Sequence, residues 1–364
     1  MRLAVLLATW FLLAFPLAAK PVEITDARGR VVRVEAPAQR VVVVFNFEEL
    51  TAIAGAEAWD RVVGYNRTPW EKFRHSIWRR YAEAIPRLRD LPDVGHPEDN
   101  TFSVEKTVAL RPDVVLMPQW GYATHAGAVD QLAALGIPTI VIDYNAQVLE
   151  KHLASTLAIG QAMGTEARAG ELAALYRREY EEVQRRVAAA QGRRPSVYVE
   201  VGMEGPDVVG PTFTTTMWGR LLDLVGAENI AKGRIPGAQG QLNPELVLAA
   251  NPDMILLAGS SWQNQPRSVR LGYEVDEASA RASLLPYLDR PGWRGLDAVK
   301  RGRVVAIQHG LARTLFDFVA MQYIAKELYP DAFADVDPYE NLRAYHAKWL
   351  PIRFGGVWMV RAAE

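Results

Sequence analysis

A two-lobe α/β fold, each lobe a mainly parallel sheet covered by helices and the two joined by one long rigid helix, is predicted by three observations. Short β-branched runs alternate with helical stretches in both halves of the chain, the pattern of parallel strands buried on both faces. A helical stretch between the halves is too long for an ordinary crossover. One segment of the first half reappears, without gaps, in the second.

The elements follow in order. After a polar lead-in, Ile24-Thr-Asp-Ala-Arg-Gly29, the first buried strand reads Val41-Val-Val-Val-Phe45. The same pattern returns at Arg61-Val-Val-Gly-Tyr65, Asp113-Val-Val-Leu-Met117 and Thr139-Ile-Val-Ile-Asp143, with helical stretches at 47–56, 103–110 and 124–135. These make an N-terminal lobe over 20–147. Residues 148–192 read as a helical connection with a break near Gly164-Thr165, and Leu172, Leu175, Tyr176, Val183 and Val187 keep mostly helical spacing. About 25 residues of helix reach roughly 38 Å, the length of a strut between lobes. The second series, 193–364, starts at Val197-Tyr-Val-Glu200, continues through Met254-Ile-Leu-Leu257 and Val304-Val-Ala-Ile307, and ends in a helical tail beyond Leu315.

The repeat pairs Ser103-Val-Glu-Lys-Thr-Val-Ala-Leu-Arg-Pro-Asp-Val-Val-Leu116 with Asn243-Pro-Glu-Leu-Val-Leu-Ala-Ala-Asn-Pro-Asp-Met-Ile-Leu256. Each copy reads as an N-capped helix, an x-Pro-Asp turn and a buried strand. Glu105 and Glu245 hold the same place in both, where each also complements its helix dipole.

Composition narrows the function. Apolar types make up 49% and charged residues 23% of 364 residues, enough for two globular cores. Lys and Arg number 41 against 42 Asp and Glu, so no global cationic field draws nucleic acid. The chain has no cysteine, which removes disulfides, thiolate metal sites, cysteine nucleophiles and a lipid anchor on an N-terminal Cys. Met1-Arg2, the apolar run Leu3 to Leu17 and small Ala18-Ala19 before Lys20 read as a secretory signal over 1–19. The run is shorter than the ~20 residues of a spanning helix, so a soluble, monomeric exported protein is expected.

No glycine-rich dinucleotide loop follows the first strand, and there is no P-loop, G-x-S-x-G elbow or H-E-x-x-H. The six histidines lie far apart. What stands at the carboxyl ends of strands, where open α/β sheets bind ligands, is aromatic and polar: Asn46, Arg67, Trp70, Trp120, Tyr122, Tyr144, Trp218, Trp262, His309 and Arg313. Together they suggest an amphipathic cleft that binds a flat or bulky ligand by stacking and a few charges.

The chain resembles the substrate-binding proteins of iron–siderophore, haem and cobalamin ABC importers. The pieces that carry the resemblance are the lead-in 24–29, Pro37-Ala-Gln-Arg-Val-Val-Val-Val44, Gly55-Ala-Glu-Ala-Trp-Asp-Arg-Val-Val-Gly64, the segment 104–116, Leu135-Gly-Ile-Pro138 and Leu221-Leu-Asp-Leu-Val-Gly-Ala-Glu-Asn-Ile-Ala231. The resemblance implies a ligand held between the lobes, no intrinsic cofactor, and one Glu per lobe, here Glu105 and Glu245, docking an inner-membrane ABC permease. It implies a metal chelate as ligand, ferric-siderophore type first, with Arg67, Arg234 and Arg313 suited to an anionic chelate. Haem is the variant in which Tyr122, Tyr144, His125 or His309 would ligate iron. The loops 95–100 and 236–241 lack the aromatic of a cobalamin binder, which argues against cobalamin. A bare metal ion, drafting His96, Glu200, Glu204 and His309, or an oxyanion remains as an alternative, and an exported α/β enzyme is the remaining rival.

Overall fold

The computed structural model describes residues 19–190 and 192–363; all but the last residue of the expected signal segment lies outside them. The chain opens with an antiparallel hairpin, β1 (Lys20–Thr25) and β2 (Val31–Ala36), where the sequence suggested only a lead-in. Buried Asp26 explains the Asp-Ala-Arg-Gly turn. Its carboxylate accepts the backbone N–H groups of Arg28 and Arg30, pairs with the Arg30 guanidinium at 2.7 Å, and takes Val141 N–H at 3.2 Å, which pins the hairpin to the lobe. Gly29 closes the turn at φ 76°, a region that favours glycine.

The N-terminal lobe is a four-stranded parallel sheet in the order β4-β3-β5-β6, from β3 (Val41–Val43), β4 (Val62–Tyr65), β5 (Val114–Pro118) and β6 (Thr139–Ile142). Helices α1 (Phe47–Ala54), α2 (His75–Ala84), α3 (Val104–Ala109), α4 (Gln119–Thr124) and α5 (Ala126–Ala134) cover it. In the connection, α6 (Leu149–Met163) packs on α1, β6 and the hairpin, so it belongs to this lobe. The chain then breaks at Gly164, in the left-handed region, and runs through α7 (Glu166–Ala189), 24 residues that span about 36 Å.

The C-terminal lobe holds β7 (Ser196–Val201), β9 (Glu228–Asn229), β11 (Met254–Gly259) and β12 (Val304–Gln308), all parallel, with β13 (Met359–Arg361) antiparallel at one edge. The order is β13-β12-β11-β7-β9, and a small ribbon pairs β8 (Thr212–Phe213) with β10 (Gln239–Gly240). Its helices are α8 (Met217–Leu224), α9 (Pro244–Ala250), α10 (Glu277–Leu284), α11 (Asp297–Lys300), α12 (Phe318–Leu328) and α13 (Pro338–Trp349). The tail helices α12 and α13 turn back onto α7, and α13 reaches α1 in the other lobe. One apolar core therefore runs continuously from Val41 and Phe47 through Tyr176 to Ile324 and Trp349, while each sheet keeps a separate core on its outer face.

Both copies of the repeat fold alike. Ser103 caps α3 by accepting Lys106 N–H, and Asn243 caps α9 by accepting Glu245 N–H. Asp113 accepts the N–H groups of Gln39 and Arg40, just before β3. Asp253 accepts the backbone N–H and the hydroxyl of Ser196, at the start of β7, and pairs with Arg193. The Pro-Asp turn thus ties each lobe's middle strand to its first.

Candidate ligand cleft between the lobes

The strands of both sheets end at the seam between the lobes. On the N-terminal side the chain leaves β3 through Phe45, which takes φ 75°, a costly conformation for a bulky side chain. Buried Asn66 holds it there, accepting Phe45 N–H at 2.7 Å and placing its amide nitrogen 2.9 Å from His96 Nδ1. The Phe45 ring lies 4.9 Å from Trp70, 5.2 Å from Trp120 and 5.9 Å from His96. Two guanidiniums face the same ring from opposite lobes, Arg74 at 5.7 Å and Arg313 at 5.6 Å.

On the C-terminal side His309, directly after β12, is ringed by Trp262 at 5.8 Å and Trp218 at 6.2 Å. Its Nδ1 accepts the Trp218 indole N–H at 3.0 Å, and its Nε2 lies 2.8 Å from Arg313 Nη2. The lobes touch across this space. Gln263 N–H donates to Phe73 O at 2.9 Å, Trp262 packs on Phe73, and Arg79 pairs with Glu274.

Charge is concentrated here. Burial, and then the charge of Arg74, lower the Arg313 pKa to about 9; burial lowers that of Arg74 against the pull of Glu48 and Glu98. Arg313 therefore still carries its charge at neutral pH. Glu98, an exposed carboxylate at the rim, is held below the usual carboxylate range by its hydrogen bond to His96 and by both arginines. The floor is acidic but largely discharged: burial and its neighbour Glu49 raise Glu48 to about 8, and burial raises Glu49 to about 7. Among the described residues, the buried polar atoms around the seam that lack a partner include three donors, Trp70 Nε1, Trp120 Nε1 and Arg313 Nε, and the acceptors Glu49 Oε1 and Gln308 Oε1.

Of the residues expected from sequence, the seam brings together Trp70, Trp120, Trp218, Trp262, His309 and Arg313, with His96 beside them. The others lie elsewhere. Asn46 is buried beneath and directs its amide to Glu49. Arg67 clamps the backbone carbonyls of Arg89 and Leu91. Tyr122 lies under Arg28 and Arg30 on the hairpin side, and Tyr144 is buried against Thr156 and His152. Arg234 is exposed in the loop before β10. The metal-ion set does not assemble: among the described residues no three His, Asp or Glu side chains gather as ligands, and Glu200 is locked by Arg290 and Tyr198. Sequence reasoning missed Phe45, Arg74 and Glu98. Arg74 precedes α2, whose buried Ile77, Trp78, Tyr81 and Ala82 carry a helical spacing that would have marked it.

Comparison with known proteins agrees with this architecture. The family model described as periplasmic binding protein matches residues 46–309. A TroA-like periplasmic binding protein, FepB, from Veillonella parvula has a similar structure, with a TM-score of 0.89 and 38% identity, over 94% of this chain and 99% of that one. The ABC transporter substrate-binding lipoprotein YvrC of Bacillus subtilis is 24% identical over 86% of this chain and 88% of its own length. The molybdate-binding protein MolA of Haemophilus influenzae is 25% identical over 90% of both chains. The chain belongs to the periplasmic binding protein family. It is the substrate-binding component of an ABC transporter, not an enzyme: it takes a small-molecule ligand to a permease and carries no resident cofactor.

Proposed function

We propose that the ligand is an oxygen-rich anion gripped between Arg74 and Arg313. One observation carries this: two guanidiniums from opposite lobes converge on one ring, among indole N–H donors that have no acceptor among the described residues. A ligand with several anionic oxygens meets those donors and neutralises the paired charge. Ferric chelates with catecholate or carboxylate oxygens, which keep a net negative charge on the complex, are one such class. A compact oxyanion is the second, supported by the likeness to a molybdate-binding protein. The donors argue against a bare cation.

Docking on the permease is proposed for Glu105 and Glu245. Both are exposed in the first turn of equivalent helices, and neither enters an ion pair among the described residues. With no cysteine to acylate, the protein is proposed to be free in the periplasm, unlike the Bacillus lipoprotein. The test is native mass spectrometry of protein purified from its own periplasm, followed by titration with molybdate, ferric dicitrate, a ferric trihydroxamate and haem. An oxygen-rich anion co-purifying or binding tightest supports the reading; preference for haem, the ferric trihydroxamate or a bare divalent ion overturns it.

A further inference from the structure

We propose that Trp218 locks His309 in the tautomer with its proton on Nε2, so that His309 and Arg313 present paired N–H donors to one ligand oxygen. This rests on the anion reading of the cleft given above. An indole nitrogen only donates, so the Trp218 contact at 3.0 Å requires a lone pair on His309 Nδ1. The ring is neutral, because burial and the charges of Arg313 and Arg74 hold its pKa well below the ordinary value. Its one proton is then on Nε2. That nitrogen faces Arg313 Nη2 at 2.8 Å, and a guanidinium also only donates. Donor meets donor.

The conflict resolves on the arginine side. Trp218 is 0% exposed, and its indole N–H has no other acceptor among the described residues; turning the imidazole over would put a carbon against it. Arg313 is partly exposed, and its Nε has no partner. An anionic oxygen seated beside both groups accepts from Arg313 and from His309 Nε2–H, and turns the clash into a two-donor grip. The same tautomer withholds the Nε2 lone pair from any metal centre. His309 therefore selects anionic oxygens over a ligand whose metal needs an imidazole, and the expectation of His309 as a metal ligand is replaced by a donor role.

The test uses the mature chain labelled with 15N-histidine, with molybdate and ferric dicitrate as probes. Long-range proton–nitrogen correlation spectra are expected to show His309 protonated on Nε2 and to shift that signal when the tighter probe is added. Trp218→Phe keeps a ring but removes the N–H; a mixed tautomer and affinity lower by about tenfold are expected. His309→Gln restores an N–H and is expected to bind more tightly than His309→Leu, a comparison that does not depend on Trp218 variants folding. A proton on Nδ1 in the unmodified protein, or a His309-dependent Soret band on adding haem, would overturn the proposal. Failure of both probes to bind, with the Nε2 proton in place, would instead overturn the anion reading and the grip with it, leaving the tautomer lock standing.

Discussion

The two lobes share a frame and differ in what they present to the cleft. Asp113 and Asp253 perform the same task 140 residues apart, each holding the start of its lobe's first strand. Ser103 and Asn243 cap equivalent helices that carry Glu105 and Glu245 at equivalent places. At the cleft the likeness ends. The N-terminal lobe supplies Phe45, Trp70 and Trp120 with Arg74, while the C-terminal lobe supplies a polar chain from Trp218 through His309 to Arg313. On the docking proposal, the frame and its outward helices repeat because both lobes stand alike toward one partner, and the proposed ligand discrimination lies where the copies diverge.

The largest effect expected from breaking this arrangement is on pH stability, because acids from both lobes are buried at the seam. Glu48 and Glu49 come from one side and Asp317, raised by burial to about 8, from the other, 3.6 Å from His152. Their folded pKa values lie above the unfolded ones. The buried histidines His152, His309 and His346, whose pKa values burial lowers, offset this below about pH 6.5; from there to about pH 8 the folded state holds more protons and stability falls as pH rises, by on the order of a few kcal/mol in all. Urea denaturation across that range is expected to show the fall, and Glu48→Gln to flatten it. A stability maximum at pH 8 would contradict it.

Next come the paired frame positions. Asp113→Ala and Asp253→Ala each leave strand-start N–H groups without their acceptor, at a cost of about 1–3 kcal/mol. Near-equal shifts in the urea midpoint would sharpen the comparison; a loss in one lobe alone would break it. Trp120→Ala is expected to weaken ligand binding by about 1–3 kcal/mol and reduce the fluorescence quench on binding. The smallest effect on the protein itself is expected at Glu105 and Glu245. Alanine there should change folding by less than about 1 kcal/mol and leave ligand affinity intact, while uptake into cells drops, further in the double variant. Lysine should be worse than alanine, and less so in high salt. Full transport by the double alanine variant would end the docking assignment.

Much of the frame was legible in the sequence. Val41–Val44, Val114–Met117 and Ile255–Leu257 are β-branched or aliphatic runs that only a strand buried on both faces tolerates, and the Pro-Asp repeat marked the equivalent halves. The hairpin was missed although Val22 with Ile24 and Val32 with Val34 alternate at period two, because polar neighbours diluted the pattern. The cleft was half legible. Trp70, Trp120, Trp262 and Arg313 follow from the rule that ligands bind beyond strand ends. Arg67 and Tyr144 obey the same rule yet serve backbone carbonyls and a buried hydroxyl, since that rule says nothing of where a side chain points. No sequence pattern foretells that Phe45 adopts a left-handed backbone, and that turn brings its ring within 5.7 Å of two arginines.

The central claim is that both lobes grip one anion through Arg74 and Arg313. Calorimetric titration of the tighter of molybdate and ferric dicitrate into the unmodified protein, Arg74→Ala, Arg313→Ala and the double variant tests it most directly. Each single change is expected to weaken binding by about 2 kcal/mol or more, with the double change departing from additivity by at least about 0.5 kcal/mol because both charges act on one ligand. Unaltered affinity in either single variant, or strictly additive losses, would contradict it.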